Sequence, residues 1–204
     1  MKVGHTKSQF VAVASIAAEL SAVMDVAKEI SLAAANAKAI AFRAGEKAKG
    51  FQPITDFINE LAKETIDLVD KINTHALSLY QMTVNEHRMT EAYGKFELVQ
   101  ALAKGSAYEE SLEKPMMISN QKMLEYKRVF KANVTLLLGQ LDEVMHPARA
   151  ARVIAANSRI EASQAGEYLQ SLQAVAESVD NAAQVIHDNV QRCRLALSVV
   201  DLAE

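Results

Sequence analysis

The sequence has few of the residues that end helices or build the cores of β-sheets. Its 204 residues include 7 glycines, 3 prolines and no tryptophan, and only 5% are aromatic. A β-sandwich or barrel needs many Gly and Pro turns and strands rich in aromatic and β-branched residues, so this composition argues against both folds. With 34 alanines and 23% charged residues, the chain is instead predicted to be all-α, with long helices.

Positive charge, cysteine pairs and long apolar runs are also scarce. A net charge of −3 gives no electrostatic attraction to nucleic acid. The single cysteine, Cys193, excludes an internal disulfide and is typical of a reducing compartment. No run reaches the ~18 uncharged apolar residues of a membrane span, so we predict a cytoplasmic protein without membrane insertion.

Apolar residues recur at alternating steps of three and four in two long segments, which is the spacing of a coiled-coil seam. The first seam consists of Val13, Ile16, Leu20, Val23, Ala27, Ile30, Ala34, Ala37, Ala41 and Ala44. The second consists of Phe51, Ile54, Ile58, Leu61, Thr65, Leu68, Ile72, His75, Leu79 and Met82. Between them, Gly45 and Gly50 permit a sharp reversal, because glycine tolerates positive φ. Two long helices joined by so short a loop are expected to pack antiparallel.

The second half of the chain repeats this pattern. The positions 121 residues after the first seam are Val134, Leu137, Leu141, Val144, Ala148, Ala151, Ala155, Ser158, Ala162 and Ala165. Those 118 residues after the second seam are Leu169, Leu172, Ala176, Val179, Ala183, Ile186, Val190, Cys193, Leu197 and Val200. The local sequence also recurs, since AAN at 34–36 returns at 155–157 and AGE at 44–46 returns at 165–167. An internal duplication of a helical hairpin follows.

The duplication predicts the architecture. We expect one elongated domain, 1–204, in which a first hairpin (1–104) and a second hairpin (118–204) are joined by a polar connector (105–117). Both turns, the second at Gly166, are expected at the same end of an antiparallel four-helix coiled-coil bundle.

Three local features refine this expectation. The inner helices, 51–104 and 118–166, are predicted to be longer than the outer ones and to project beyond them. Tyr93-Gly94 is predicted to break the second helix. Pro147 is predicted to kink the third helix without a loop, because the seam stays in phase across it.

The first turn resembles a known family. Residues 36–51, NAKAIAFRAGEKAKGF, are similar to the hairpin tip of methyl-accepting chemotaxis proteins, whose pattern is N-A-A-x-E-A-A-R-A-G-E-x-G-R-G-F. Residues 56–62, DFINELA, continue like the family's D/E-x-V-R-x-L-A. The resemblance covers roughly residues 20–70 and is fainter over 150–185.

The resemblance implies a fold and partners. The family forms dimers of antiparallel hairpins, and its tip contacts the histidine kinase CheA and the coupling protein CheW, so this chain resembles such a dimer fused into one polypeptide. It implies docking on CheA, CheW or both in chemosensory arrays, with chemoreceptors themselves as further partners. The predicted partner-binding residues are Asn36, Arg43, Glu46, Lys49, Phe51, Pro53 and Ile54, with Phe51 expected as an exposed anchor.

The two tips are not equivalent, and this limits the expectation. The second tip lacks three residues and has Tyr168-Leu169 where the first has Gly50-Phe51, so only the first is expected to bind as a receptor tip does. Lys28 stands where the family has an apolar trimer-contact residue, and its charge opposes that contact. Two other functions stay open: a cytosolic chemoreceptor-like sensor that modulates kinase activity, and a helical scaffold unrelated to chemotaxis.

Other polar residues give weaker signals. His75 and Cys193 occupy corresponding seam positions, but no further ligands fall at metal-binding spacing, so we expect a register role. Arg149, Arg152 and Arg159 form a stripe that is expected either to pair with acidic residues on a neighbouring helix or to meet an anionic partner. No nucleophile–base pair, phosphate loop or Gly-rich cofactor motif is present, so we predict neither an enzyme nor a cofactor.

Overall fold

The computed structural model describes residues 2–107 and 109–201, and the side chains of residues 11–107 and 110–198. All regular structure in these residues is helical. The four long helices are α1 (Lys2–Ala44), α2 (Phe51–Ala103), α3 (Glu113–Ala162) and α4 (Leu169–Asp201). Short 3-10 turns precede the last three, at Gly45–Ala48, Glu109–Leu112 and Gly166–Tyr168. The prediction of an all-α protein of four helices is therefore confirmed.

The four helices share one apolar core. α1 packs against α2 and α4, and α3 packs against the same two helices. Every residue predicted for the third seam is buried, and so is every residue of the first except half-buried Ala44. The fourth seam is buried from Leu172 to Leu197, while the side chain of Val200 lies outside those described. Burial at these alternating steps is the packing expected for a coiled-coil bundle.

The seam predicted for α2 is wrong at alternate positions. Ile54, Leu61, Leu68, His75 and Met82 are half-buried, and the residues that follow them are buried instead: Thr55, Ala62, Val69, Ala76 and Thr83. The buried residues are mostly small, so they let α2 lie close to the bundle axis. The larger Ile54, Leu61 and Leu68 pack against the edge of the core from its flank.

Many of the residues buried near the two turns are alanines. Large side chains such as Leu20, Leu137 and Leu141 are buried in the body of the bundle, whereas alanines are buried near the turns: Ala34, Ala37, Ala41, Ala155, Ala162 and Ala165. Alanine at a seam position permits close approach of the helix backbones. The turn end of the core therefore combines closely packed alanines with the buried ring of Phe51.

Two predicted interruptions take a different form in the structure. α2 runs unbroken through Gly94, so the predicted break is wrong; one exposed glycine costs a helix only about 1 kcal/mol relative to alanine, which the rest of a long helix outweighs. α3 continues through Pro147, so the expected absence of a loop there is confirmed.

The connector is shorter than predicted. α3 begins at Glu113, before the expected start near Ile118. It includes Pro115 in its first turn, where a helix has no need of the missing N–H. The inner helices have 53 and 50 residues and α1 has 43, so the inner helices are the longer ones, as predicted. No helix among the described residues is long and apolar enough to cross a membrane.

Candidate functional site: the two turns

Both turns depend on a glycine in the left-handed region. Gly45 and Gly166 each have a φ of +60°. L-residues with a side chain reach this conformation only at a cost of roughly 1–2 kcal/mol. Each glycine directly follows the alanine of an Ala-Gly-Glu sequence. The same short sequence therefore adopts the same backbone conformation at both turns.

Gly50 serves a different purpose from the predicted one. Its φ is −66°, which any residue can adopt, so the expectation of positive φ is wrong here. A Cβ at this position would instead overlap the carboxylate of Glu161, near the end of α3. Gly50 therefore provides space for a side chain of α3.

The two turns lie next to each other. The Nζ of Lys47 is 3.7 Å from Oε1 of Glu167 in the second turn. A Cβ on Gly166 would be 3.9 Å from the Cδ of Lys47. The Lys47 and Glu167 side chains are 63% and 71% exposed, so their ion pair adds little stability but shows how close the turns are.

Most residues predicted to bind a partner are on the surface. Asn36, Arg43, Glu46, Lys49 and Pro53 are exposed. Lys49 and Glu46 form an ion pair at 3.2 Å, and Nε of Arg43 donates to the carbonyl of Ala39 at 3.3 Å. The turn between α1 and α2 and the end of α1 therefore present both signs of charge.

The position of Phe51 in the structure contradicts the expectation from the sequence. We expected an exposed anchor, but its side chain is 0% exposed and belongs to the core. Ile54 is half-buried and packs against that core. Because Phe51 begins α2 directly after the turn, its first seam position points it into the bundle, and no partner can contact the ring without rearrangement of the turn.

The exposed aromatic residue of this tip is Phe42, which sequence analysis missed. Its side chain is 79% exposed and lies beside Arg43. It ends a stripe on α1 that contains Leu32, Ala35, Ala39 and Phe42, all exposed and spaced by alternating steps of three and four. That second apolar register, outside the buried seam, is the signal that could have found it.

The arginine stripe of α3 pairs with an acidic residue of α4. Arg159 donates to Asp180 at 2.7 Å, and Nε of Arg152 is 3.6 Å from the same carboxylate. Asp180 is only 31% exposed, so the pairing is better shielded than an ordinary surface ion pair. Of the two expectations for this stripe, pairing with a neighbouring helix is confirmed for Arg152 and Arg159.

His75 and Cys193 have separate surroundings. The Nδ1 of His75 is 2.8 Å from Oε1 of Gln140 on α3. Cys193 is buried, with its Sγ 3.9 Å from the carbonyl of Ile16 on α1. Within the described part of the chain, no three His, Cys, Asp or Glu side chains are grouped so that they could hold a metal ion.

Cys193 gives the protein a specific pH dependence. Burial, followed by the nearby Glu19 carboxylate, raises the pKa of its thiol from 9.0 to about 12. The unfolded chain therefore loses this proton first, and stability should fall as pH rises from about 9 toward 12. We expect the free energy of unfolding, measured in denaturant across this range, to fall more steeply for the native protein than for Cys193→Ala. Parallel pH profiles for the two proteins would contradict the assignment.

Comparison with known proteins does not add a relative. No family model, curated protein or solved structure matches the chain. A function is therefore inferred from the sequence of the first turn and the geometry of the two turns.

Proposed function

We propose that this chain is a receptor-tip-like docking protein that binds CheA, CheW or both in cytoplasmic chemosensory arrays. In this proposal one polypeptide imitates the paired hairpins of a receptor dimer. The first tip presents the binding surface, and the second hairpin supports it.

The contacts between neighbouring helices support antiparallel pairing. Between α1 and α2, Lys38 pairs with Asp56 and Ser31 donates to Asn59. A residue earlier in α1 therefore meets a residue later in α2, as expected for antiparallel helices. The same inverse order holds between α2 and α3, where His75 meets Gln140 and Met82 meets Asn133. Between α3 and α4, Asp142 pairs with Arg194 and Arg159 with Asp180.

The observation that carries the proposal is the approach of the two turns. Lys47 of the first turn lies 3.7 Å from Glu167 of the second, and both turns reverse at a glycine with φ of +60°. A folded-back pair of tandem hairpins brings its turns together at one end in this way. That arrangement favours a single-chain counterpart of a dimer tip.

The surface offered to a partner is small and mixed in chemistry. Arg43, Glu46 and Lys49 provide charges of both signs, and Phe42 and Pro53, on the helices that flank the turn, provide exposed apolar groups. Exposed aromatic and arginine side chains are the groups that most often dominate binding energy. A patch of this size favours a transient interface, below about 1,200 Å² of buried area.

The test is direct binding. Purified CheW and the regulatory domain of CheA should each be titrated against the full chain by calorimetry, with Glu46→Lys as a charge-reversed variant. We expect binding by the native chain to at least one partner and about tenfold weaker binding by Glu46→Lys, the loss typical of an interface contact. Absence of binding to both proteins, or equal binding by Glu46→Lys, would refute tip docking.

A further inference from the structure

α2 begins without the usual local means of stabilising a helix start. Its N-cap, Gly50, makes no side-chain capping hydrogen bond, and its first turn contains no acidic residue. The N-terminal end of a helix carries a partial positive charge, which a nearby carboxylate stabilises. A carboxylate from another part of the chain can therefore stabilise this helix start.

Glu161 of the second hairpin supplies a carboxylate at this end. Its carboxylate overlaps the position that a Cβ of Gly50 would occupy, with the carboxyl carbon 2.8 Å and Oε1 3.3 Å from it. The Glu161 side chain is half-buried and belongs to the last turn of α3. Because the backbone of Gly50 is ordinary, the contact requires the missing side chain of this glycine and not its conformational freedom.

The contact runs in one direction only. Ile40 stands in the first hairpin at the position corresponding to Glu161, and Tyr168 stands in the second at the position corresponding to Gly50. The second hairpin can therefore reach into the first tip. The reverse contact cannot form, because the first hairpin lacks the carboxylate and the second lacks the glycine.

We propose that Glu161 is a positioning residue for the first tip. We call the contact between its carboxylate and Gly50 the brace. The carboxylate occupies the space that a side chain of residue 50 would fill. There it holds the start of α2, which carries the docking residue Pro53, against the second hairpin. The role in docking rests on the proposed function, but the brace itself is a property of the isolated chain.

A double-mutant cycle tests the brace without any partner. Gly50→Ala should displace the Glu161 carboxylate, so amide hydrogen exchange across residues 51–57 should accelerate roughly two- to fivefold, the range of helix-end charge effects. In the Glu161→Ala background the same Gly50→Ala change should leave exchange unchanged or slow it, because alanine suits a φ of −66°. This reversal of sign is the signature of the contact.

Glu167→Ala is the matched control, because it removes a largely exposed carboxylate from the same end of the molecule. It should leave exchange across residues 51–57 unchanged. An equal effect of Gly50→Ala in both backgrounds, or an effect of Glu167→Ala as large as that of Glu161→Ala, would overturn the brace.

Binding to CheW and the CheA regulatory domain then separates the two proposals. Weaker binding by Glu161→Ala at unchanged global stability supports a brace that serves docking. If the native chain binds neither protein while the exchange cycle shows the reversal, the brace stands and the proposed function fails. Normal binding by Glu161→Ala would show that the brace does not position the docking surface.

Discussion

Phe51→Ala should destabilise the protein strongly, lowering its free energy of unfolding by about 3–5 kcal/mol. The Phe51 side chain is fully buried where the other buried residues of the two turns are alanines, among them Ala41, Ala48, Ala162 and Ala165. Their methyl groups are too short to fill the space left by a phenyl ring, so most of the cavity should persist. Since domains of this size are stable by only about 5–15 kcal/mol, the loss is a large part of the total.

Chemical denaturation followed by circular dichroism measures this loss. Phe57→Ala is the matched control, because Phe57 lies on the same helix and is 56% exposed. It should change stability by no more than about 0.5 kcal/mol. A loss of stability for Phe51→Ala as small as that for Phe57→Ala would contradict the burial of the Phe51 side chain. Phe51 would then be the exposed anchor expected from the sequence.

Phe42→Ala should weaken binding to the proposed partner about tenfold or more while leaving stability unchanged. Phe42 is 79% exposed, so its removal creates no cavity in the core. In a complex its ring would be the largest apolar group of the first tip to be removed from water, and aromatic anchors of this kind commonly account for 2 kcal/mol or more of binding energy.

Leu102→Ala provides the comparison for this effect. Leu102 is 80% exposed but lies at the end of α2 that is remote from the turns. Calorimetric titration of CheW and of the CheA regulatory domain should give the native affinity for Leu102→Ala and a reduced one for Phe42→Ala. Equal affinities for the two variants would remove Phe42 from the docking surface.

The alternation of apolar residues made the fold class predictable. In α1, α3 and α4 nearly all the predicted seam residues are buried, so periodicity located the core of these helices. It did not do so uniquely, because the exposed stripe from Leu32 to Phe42 on α1 has the same spacing. In α2 the spacing was ambiguous, because Ile54 and Leu61 are larger than the neighbouring Thr55 and Ala62. Tertiary packing selected the smaller residues for the axis, a choice that depends on the other helices and is not encoded within α2.

The candidate site was less predictable, because its important features are non-local. Gly45 and Gly166 could be identified from the repeated Ala-Gly-Glu. Whether Phe51 or Phe42 faces solvent depends on which side of each helix meets the bundle. The contact of Glu161 with Gly50 joins residues more than a hundred positions apart, so no local pattern indicates it.

The distance between the two turns tests the central claim most directly. Spin labels attached at Lys47→Cys and Glu167→Cys, introduced together in a Cys193→Ala background, would report this distance by pulsed electron paramagnetic resonance spectroscopy. Two tandem hairpins folded side by side predict a short separation, on the order of the ~10 Å between packed helices plus the length of the label arms. A separation near the ~75 Å length of a 50-residue helix would place the turns at opposite ends and contradict the account.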